Sequence, residues 1–348
     1  MPRVLVVDDS AVARTLLRRV LEHEQDFEIA GEAVDGRAAV AAAMSLRPDV
    51  VVMDVHMPEM DGVAATKEIM RRCPAPIVLV TAGRNKSEVD MSFAALEAGA
   101  LAMLDKPRLG LSPDDPSSVA EFIRTVRMMA EVRVVGRRFD PHRKPRQNGD
   151  LRRSLVSGLE VVAIGASTGG PAALARILRD LPADLRVPVL VVQHIGPGFD
   201  EGLVKWLGAC SPLRVRLAAA GRRLGPGEVH VSPHDRHLGV TRDMHTVLSD
   251  ADPVRGHRPS ATFLFRSIAQ AAVPALGVIL TGMGEDGVQG LVELREAGGL
   301  VVAQDEATSV VYGMPGRAVE LGLADAILPV EDIAAAIASA TTRISPGL

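Results

Sequence analysis

Short, mostly continuous apolar runs at 3–7, 28–33, 49–54, 76–81 and 101–105 alternate with stretches of helical period. The helical stretches are 10–24, 36–46, 62–72, 86–98 and 116–131. Strands that are apolar on both faces need helices above and below them, as in a parallel sheet. Five strand–helix units in succession predict a flavodoxin-like doubly wound domain.

The alternation stops in the segment 132–155, VRVVGRRFDPHRKPRQNGDLRRSL, which holds prolines, glycines and many basic residues but no apolar period. Such a segment reads as a linker. Charge makes a similar division. Residues 1–125 carry 14 basic and 20 acidic side chains, and residues 126–155 carry 9 and 3. The expected organisation is a first domain at 1–125, a basic flexible linker at 126–155 and a second domain at 156–348.

Beyond the linker the pattern restarts, with strands expected at 161–167, 187–195, 213–219, 227–233, 238–243, 245–250, 276–282, 299–305 and 324–330. Helices are expected at 171–181, 200–210, 260–272, 286–298, 314–322 and 331–344. This predicts a second doubly wound, mainly parallel α/β domain. The four strands between 213 and 250 are separated only by turns, so an antiparallel β insertion is expected at one edge.

Several function classes are disfavoured. A net charge of −4 and nine aromatics leave little for coating nucleic acid, and no helix-turn-helix pattern is visible. Cys73 and Cys210 form no disulfide framework and suit a reducing, cytoplasmic setting. Asp8 and Asp9 interrupt the first apolar run, so export is not expected. The uncharged stretch Ser267–Gly284 is broken by Gln270, Pro274 and three glycines, so no membrane insertion is expected.

Strand ends of a parallel sheet gather at one edge. There the first domain places Asp8 and Asp9, Asp54, Thr81 and Lys106. Clustered carboxylates repel unless a cation joins them, and hard oxygen ligands suit Mg²⁺. A carboxylate such as Asp54 can also act as a nucleophile and form an aspartyl-phosphate. VVDDS (6–10), MDVHMPEMDG (53–62), Thr81 and DKP (105–107) resemble a response-regulator receiver domain throughout 1–125. The resemblance implies Mg²⁺ held by Asp8 or Asp9, Asp54 and the His56 carbonyl. It implies that a CheA-type histidine kinase phosphorylates Asp54, with Thr81 and Lys106 as switch residues. Met103 stands where receivers often carry an aromatic, so no rotating-aromatic switch carries over. The 82–87 loop, AGRNKS, lacks the small hydroxyl residues expected after Thr81.

In the second domain a strand ends in Gly165-Ala166-Ser167-Thr168-Gly169-Gly170-Pro171. G-x-S-x-G between strand and helix is the pattern of a nucleophile elbow, and the helix N-terminus offers N–H donors to an oxyanion. A phosphate-cradling loop is the alternative, though no Walker lysine follows and G-x-G-x-x-G is not met. His194 ends the next strand and is a candidate base. The turn Gly282-Met283-Gly284-Glu285-Asp286-Gly287 offers two candidate acids, between which residue chemistry does not choose. The order Ser–His–acid differs from that of α/β-hydrolases.

AIGASTGGP (163–171), QHIGPGF (193–199), HRPSATFLF (257–265), LTGMGEDG (280–287) and QDEATSVVYGMPGRAV (304–319) resemble the catalytic domain of the CheB family of chemotaxis protein-glutamate methylesterases. The resemblance covers about 156–345. It implies Ser167 as nucleophile, His194 as base and Asp286 as orienting acid, with backbone N–H groups near Thr168 and Met283 for the oxyanion. It implies no cofactor for the esterase, methyl-accepting chemotaxis-type receptors as partners, and a monomer. Ile195 and Thr262 depart from common family residues. Thr262 is expected to affect substrate preference without touching the triad.

The function expected is a phosphorylation-activated hydrolase of glutamyl methyl esters that also deamidates receptor glutamines. The rivals are a receiver-controlled adaptor, a receiver-linked transcription factor and a CheB-like esterase in a non-flagellar pathway. His230, His234 and His237 sit on a strand and turn and are not expected to bind metal. Ser260 reads equally as a groove residue or a helix cap.

Overall fold

The computed structural model describes residues 1–23, 27–81, 86–106, 116–132 and 158–341. Most of the expected linker and the first part of the 82–87 loop lie outside the described residues. The chain divides into two compact units, Met1–Pro141 and His142–Leu348.

In the first unit β1 (Arg3–Val7), β2 (Glu28–Ala33), β3 (Val50–Asp54), β4 (Ile77–Thr81) and β5 (Ala102–Asp105) form one parallel sheet. Its order is β2-β1-β3-β4-β5. Every residue of β3 and β4 is buried, which explains their unbroken apolar runs. The helices are α1 (Ala11–His23), α2 (Gly36–Leu46), α3 (Gly62–Arg72), α4 (Lys86–Ala98) and α5 (Pro116–Glu131). Asp35 and Asp61 start α2 and α3, accepting from Ala38 N and Ala64 N at 2.8 Å each. The strand order reverses between β1 and β3, so a crevice opens at their carboxyl ends. Helix α5 runs through Glu131 and buries Val126 and Met129. The first residues of the segment expected as linker, 126–131, therefore belong to this helix. The helix expected at 116–131 is present, and 126–131 (VRMMAE) carries one Arg and one Glu, so the basic residues that mark the linker begin beyond it.

In the second unit seven parallel strands lie in the order β14-β13-β12-β6-β7-β9-β8. They are β6 (Val161–Ala166), β7 (Val189–Gln193), β8 (Arg214–Leu217), β9 (Glu228–Val231), β12 (Ala275–Ile279), β13 (Leu300–Gln304) and β14 (Ala326–Leu328). Among the described residues only the strands β10 (His237–Val240) and β11 (Thr246–Ser249) form an antiparallel pair, as a separate two-stranded sheet. The small antiparallel element is thus present, but two of the four strands expected in it, β8 and β9, belong to the parallel sheet. The reason is the connection 218–227, which turns the chain back without a helix and lies along the hairpin. Gly221 N donates to Thr246 O, Leu224 N to Met244 O and Thr246 N to Arg222 O, each at 2.8 Å.

Helices α6 (Gly170–Asp180), α7 (Asp200–Cys210) and α11 (Val330–Thr341) pack together. Helices α8 (Ala261–Ala271), α9 (Val288–Glu296) and α10 (Met314–Glu320) form a second group with the hairpin. Phe265, Leu264, Ile268, Leu291, Leu294 and Met314 from the second group close a core over β6, β7, β12 and β13. The strand order reverses at β6, between β7 and β12. That puts the second crevice at the carboxyl end of β6.

Candidate active site and phospho-acceptor cluster

Ser167 and His194 each stand one residue beyond a strand. The β6–β7 ladder ends with Ala166 opposite Gln193, and His194 N donates to Ala166 O at 3.0 Å. The two side chains therefore leave the sheet edge abreast. Ser167 N donates to Thr281 O at 3.1 Å, which ties the turn to the loop after β12. Gly282 lets that loop pass: a Cβ there would lie 2.7 Å from Ser167 Cβ. Gly169 begins α6 at φ 77°, in the left-handed region that glycine adopts without strain.

Asp286 is buried and its Oδ2 lies 2.8 Å from His194 Nε2. The same carboxylate accepts from Ser260 Oγ and Ala261 N at 2.6 Å each and from Thr262 N at 3.1 Å. It therefore sits on the N-terminus of α8, where orphan N–H groups and the helix dipole favour an anion. Burying a lone carboxylate costs several kcal/mol, roughly, and pushes its pKa up. The hydrogen bond and charge of His194, with the Ser260 and Ala261 bonds, win and hold Asp286 well below the usual carboxylate range. Glu285, the other candidate acid, is exposed and pairs instead with Arg255 at 2.7 Å and Arg317 at 3.4 Å. With Nε2 on Asp286, Nδ1 is the ring nitrogen left for a proton from a serine; it is buried and carries no hydrogen bond. Thr168 and Met283 are half-buried in the flanking turns, and Thr281 Oγ1 donates to Thr168 O at 2.9 Å.

In the first unit the ligand atoms of Asp8, Asp9 and Asp54 lie within 4.8 Å of one another. Lys106 Nζ lies 2.7 Å from Asp8 Oδ2 and 3.1 Å from Asp54 Oδ2. Burial raises the Asp54 pKa; Lys106 opposes this and Asp8 adds to it. Lys106 is itself raised, because the two carboxylates outweigh the effect of its burial. One ammonium among three carboxylates leaves net negative charge, and an all-oxygen donor set of this kind fits Mg²⁺. Thr81 ends β4, buried, and its carbonyl accepts from Lys106 N at 2.8 Å. His56 is exposed two residues beyond Asp54, and Met103 is half-buried in β5.

The model of the CheB methylesterase family matches residues 162–337, and that of the response regulator receiver domain matches 4–110. The chain belongs to the CheB methylesterase family. It is 48% identical over 343 residues to protein-glutamate methylesterase/protein-glutamine glutaminase 4 of Myxococcus xanthus, covering 97% of this chain and 96% of that one. It is 50% identical over 340 residues to protein-glutamate methylesterase/protein-glutamine glutaminase 3 of Anaeromyxobacter dehalogenans, covering 96% and 97%. The crystal structure of the Thermotoga maritima CheB methylesterase catalytic domain is 38% identical, with a TM-score of 0.50. It covers 53% of this chain and 98% of that chain.

In this CheB-family chain the HRPSATFLF segment does more than border a groove. Ser260 caps α8, accepting from Phe263 N at 3.3 Å, and also donates to Asp286. Thr262 was expected to leave the triad untouched, and here the structure differs. It lies in the helical turn that receives Asp286, gives that carboxylate its backbone N–H, and accepts from Gly287 N through Oγ1 at 2.7 Å. His257 stacks on His194, with ring centroids 4.2 Å apart and planes 2° from parallel. Of the three histidines on the strand and turn, His230 meets Glu228 at 3.1 Å, His237 meets Asp252 O at 3.2 Å, and His234 donates its backbone N–H to Asp200 at 3.1 Å. Among the described residues the acidic trio of the first unit is the group of three or more that can hold a metal. Cys210 donates to carbonyls of its own helix. No described helix is long and apolar enough to cross a membrane.

Proposed function

We propose that this chain is a phosphorylation-activated protein-glutamate methylesterase. It hydrolyses glutamyl methyl esters on methyl-accepting chemotaxis-type receptors and deamidates receptor glutamines. The observation that carries the reading is the bond between buried Asp286 and half-buried His194, which stands next to Ser167 at the carboxyl ends of β7 and β6.

Ser167 Oγ attacks the side-chain carbonyl carbon while its proton passes to His194. Asp286 stays ionised, orients the ring and stabilises the imidazolium. Backbone N–H groups near Thr168 and Met283 face the oxyanion. The imidazolium returns the proton to the departing methoxy oxygen, and methanol leaves. Water, deprotonated by His194, then hydrolyses the acyl-enzyme and releases the glutamate side chain. With a glutamine substrate the leaving group is ammonia.

In the receiver, Asp54 accepts a phosphoryl group from a CheA-type histidine kinase. Asp8, Asp9, Asp54 and the His56 carbonyl would hold Mg²⁺, which supplies positive charge against the incoming phosphoryl oxygens. Lys106 and Thr81 bind those oxygens. Phosphorylation relieves inhibition of the hydrolase, a reading motivated by the fusion of a phospho-acceptor to an esterase in one chain.

Methanol release from methylated receptor is the test, with and without a small phosphodonor. Wild type should accelerate with donor, Asp54→Asn should ignore it, and Ser167→Ala should release nothing. Equal wild-type rates in both conditions would remove the regulatory claim. Full turnover by Ser167→Ala would remove the catalytic one.

A further inference from the structure

Gln193, the last residue of β7, is 2% exposed, and the proposed chemistry assigns it nothing. Its Nε2 donates to Ser167 O and to His194 O, at 2.8 Å each. Both N–H bonds of one side-chain amide are thus engaged by the backbones of the two residues that exchange the proton. The strand ladder stops at Ala166 and Gln193, so Ser167 and His194 lie beyond it. The amide extends the cross-linking of the two strands by one residue.

Two further features fix this arrangement. Gln193 Oε1 is buried and has no hydrogen-bond partner. Turned over, the amide would aim that oxygen at two carbonyl oxygens, so the orientation is set by electrostatics. Gly170 leaves the room it needs, because a Cβ at 170 would overlap Gln193 Oε1.

We propose that Gln193 is a positioning residue that holds Ser167 and His194 in register for proton transfer. The proposal rests on the Ser167–His194–Asp286 reading. An ångström-scale misplacement of reacting groups costs on the order of 10²-fold in rate. The loss should fall on kcat, since Gln193 is buried behind the turn and offers nothing to the substrate.

The test uses the full chain carrying Gln193→Met, which keeps length but has no N–H, and Gln193→Glu, which keeps shape but is ionised. Methanol release is measured alongside the rate at which a fluorophosphonate labels Ser167. Either folded variant should lose about 10- to 100-fold in kcat, with KM changed less than about twofold. Labelling should slow in proportion. A variant with a lowered melting temperature but wild-type kcat and labelling per folded molecule overturns the proposal. Ser167→Ala run in parallel separates the two readings: if it still releases methanol, the triad assignment has failed rather than the role of Gln193.

Discussion

Asp286 accepts four hydrogen bonds, from His194, Ser260, Ala261 and Thr262, and none of these donors lies near it in the chain. Its charge is what the site is built to keep. Replacing it by Asn should lower kcat by about 10³-fold or more, because a neutral amide neither fixes the tautomer of His194 nor balances its imidazolium. The same carboxylate governs acid stability. Its pKa in the folded state lies below the unfolded value of 3.8, so its stabilising contribution is full above that value. The contribution is lost as pH falls toward the folded pKa. Urea unfolding followed from about pH 5 to pH 3 should show a steeper loss for wild type than for Asp286→Asn. The serine, histidine and acid types were legible because each ends an apolar run in a Gly-rich turn. The choice of Asp286 over Glu285 was not legible from residue chemistry. Nor were the parts played by Thr262, His257 and Gln193, because each depends on segments that meet only after folding.

Helix α8 approaches α9 closely at Gly290, where a Cβ would overlap the Thr262 carbonyl and lie 2.9 Å from Phe265 Cβ. Gly290→Ala should cost about 1–3 kcal/mol in urea unfolding and reduce activity as well, since it pushes on the turn that holds Asp286. Strands β8 and β9 make a second case. Turn-only spacing cannot distinguish an antiparallel meander from a helix-free crossover, so their direction was not readable. What keeps the crossover down is Glu228, whose Oε1 lies 3.3 Å from Arg216 and 3.4 Å from Arg222 and whose Oε2 meets His230. Burial pushes the His230 pKa down, and Glu228 partly offsets this. Stability held by a neutral His230 is full above its unfolded value of 6.5 and falls as pH drops toward the folded pKa. Glu228→Gln should lower stability by about 2 kcal/mol near neutral pH. Its melting temperature should then fall more steeply than that of wild type from about pH 7.5 to 5.5.

The proposed function puts a phospho-acceptor edge and an esterase edge in one polypeptide. Lys106→Ala should therefore leave methanol release without phosphodonor close to the wild-type rate while abolishing the response to donor. Parallel assays of the two proteins with and without donor check this. The two-unit plan was legible because each sheet grows from local strand–helix units, which leave their period in the sequence. The last helix of the first unit was legible from its apolar period at 116–131, whereas the division by charge at 126 cuts through it. The position of β6 has a consequence for how the protein is made. It is the first strand of its unit, yet it lies mid-sheet between β7 and β12. A chain emerging from the ribosome can pair β6 with β7 early and set Ser167 beside His194. It must then wait for residue 275 before the other edge of β6 is covered, and for residue 286 before the acid exists. Until then that edge is a row of unpaired N–H and C=O groups, a template for aggregation. Over the same stretch of translation, then, the nascent chain lacks both the proposed acid and the strand that covers the free edge of β6.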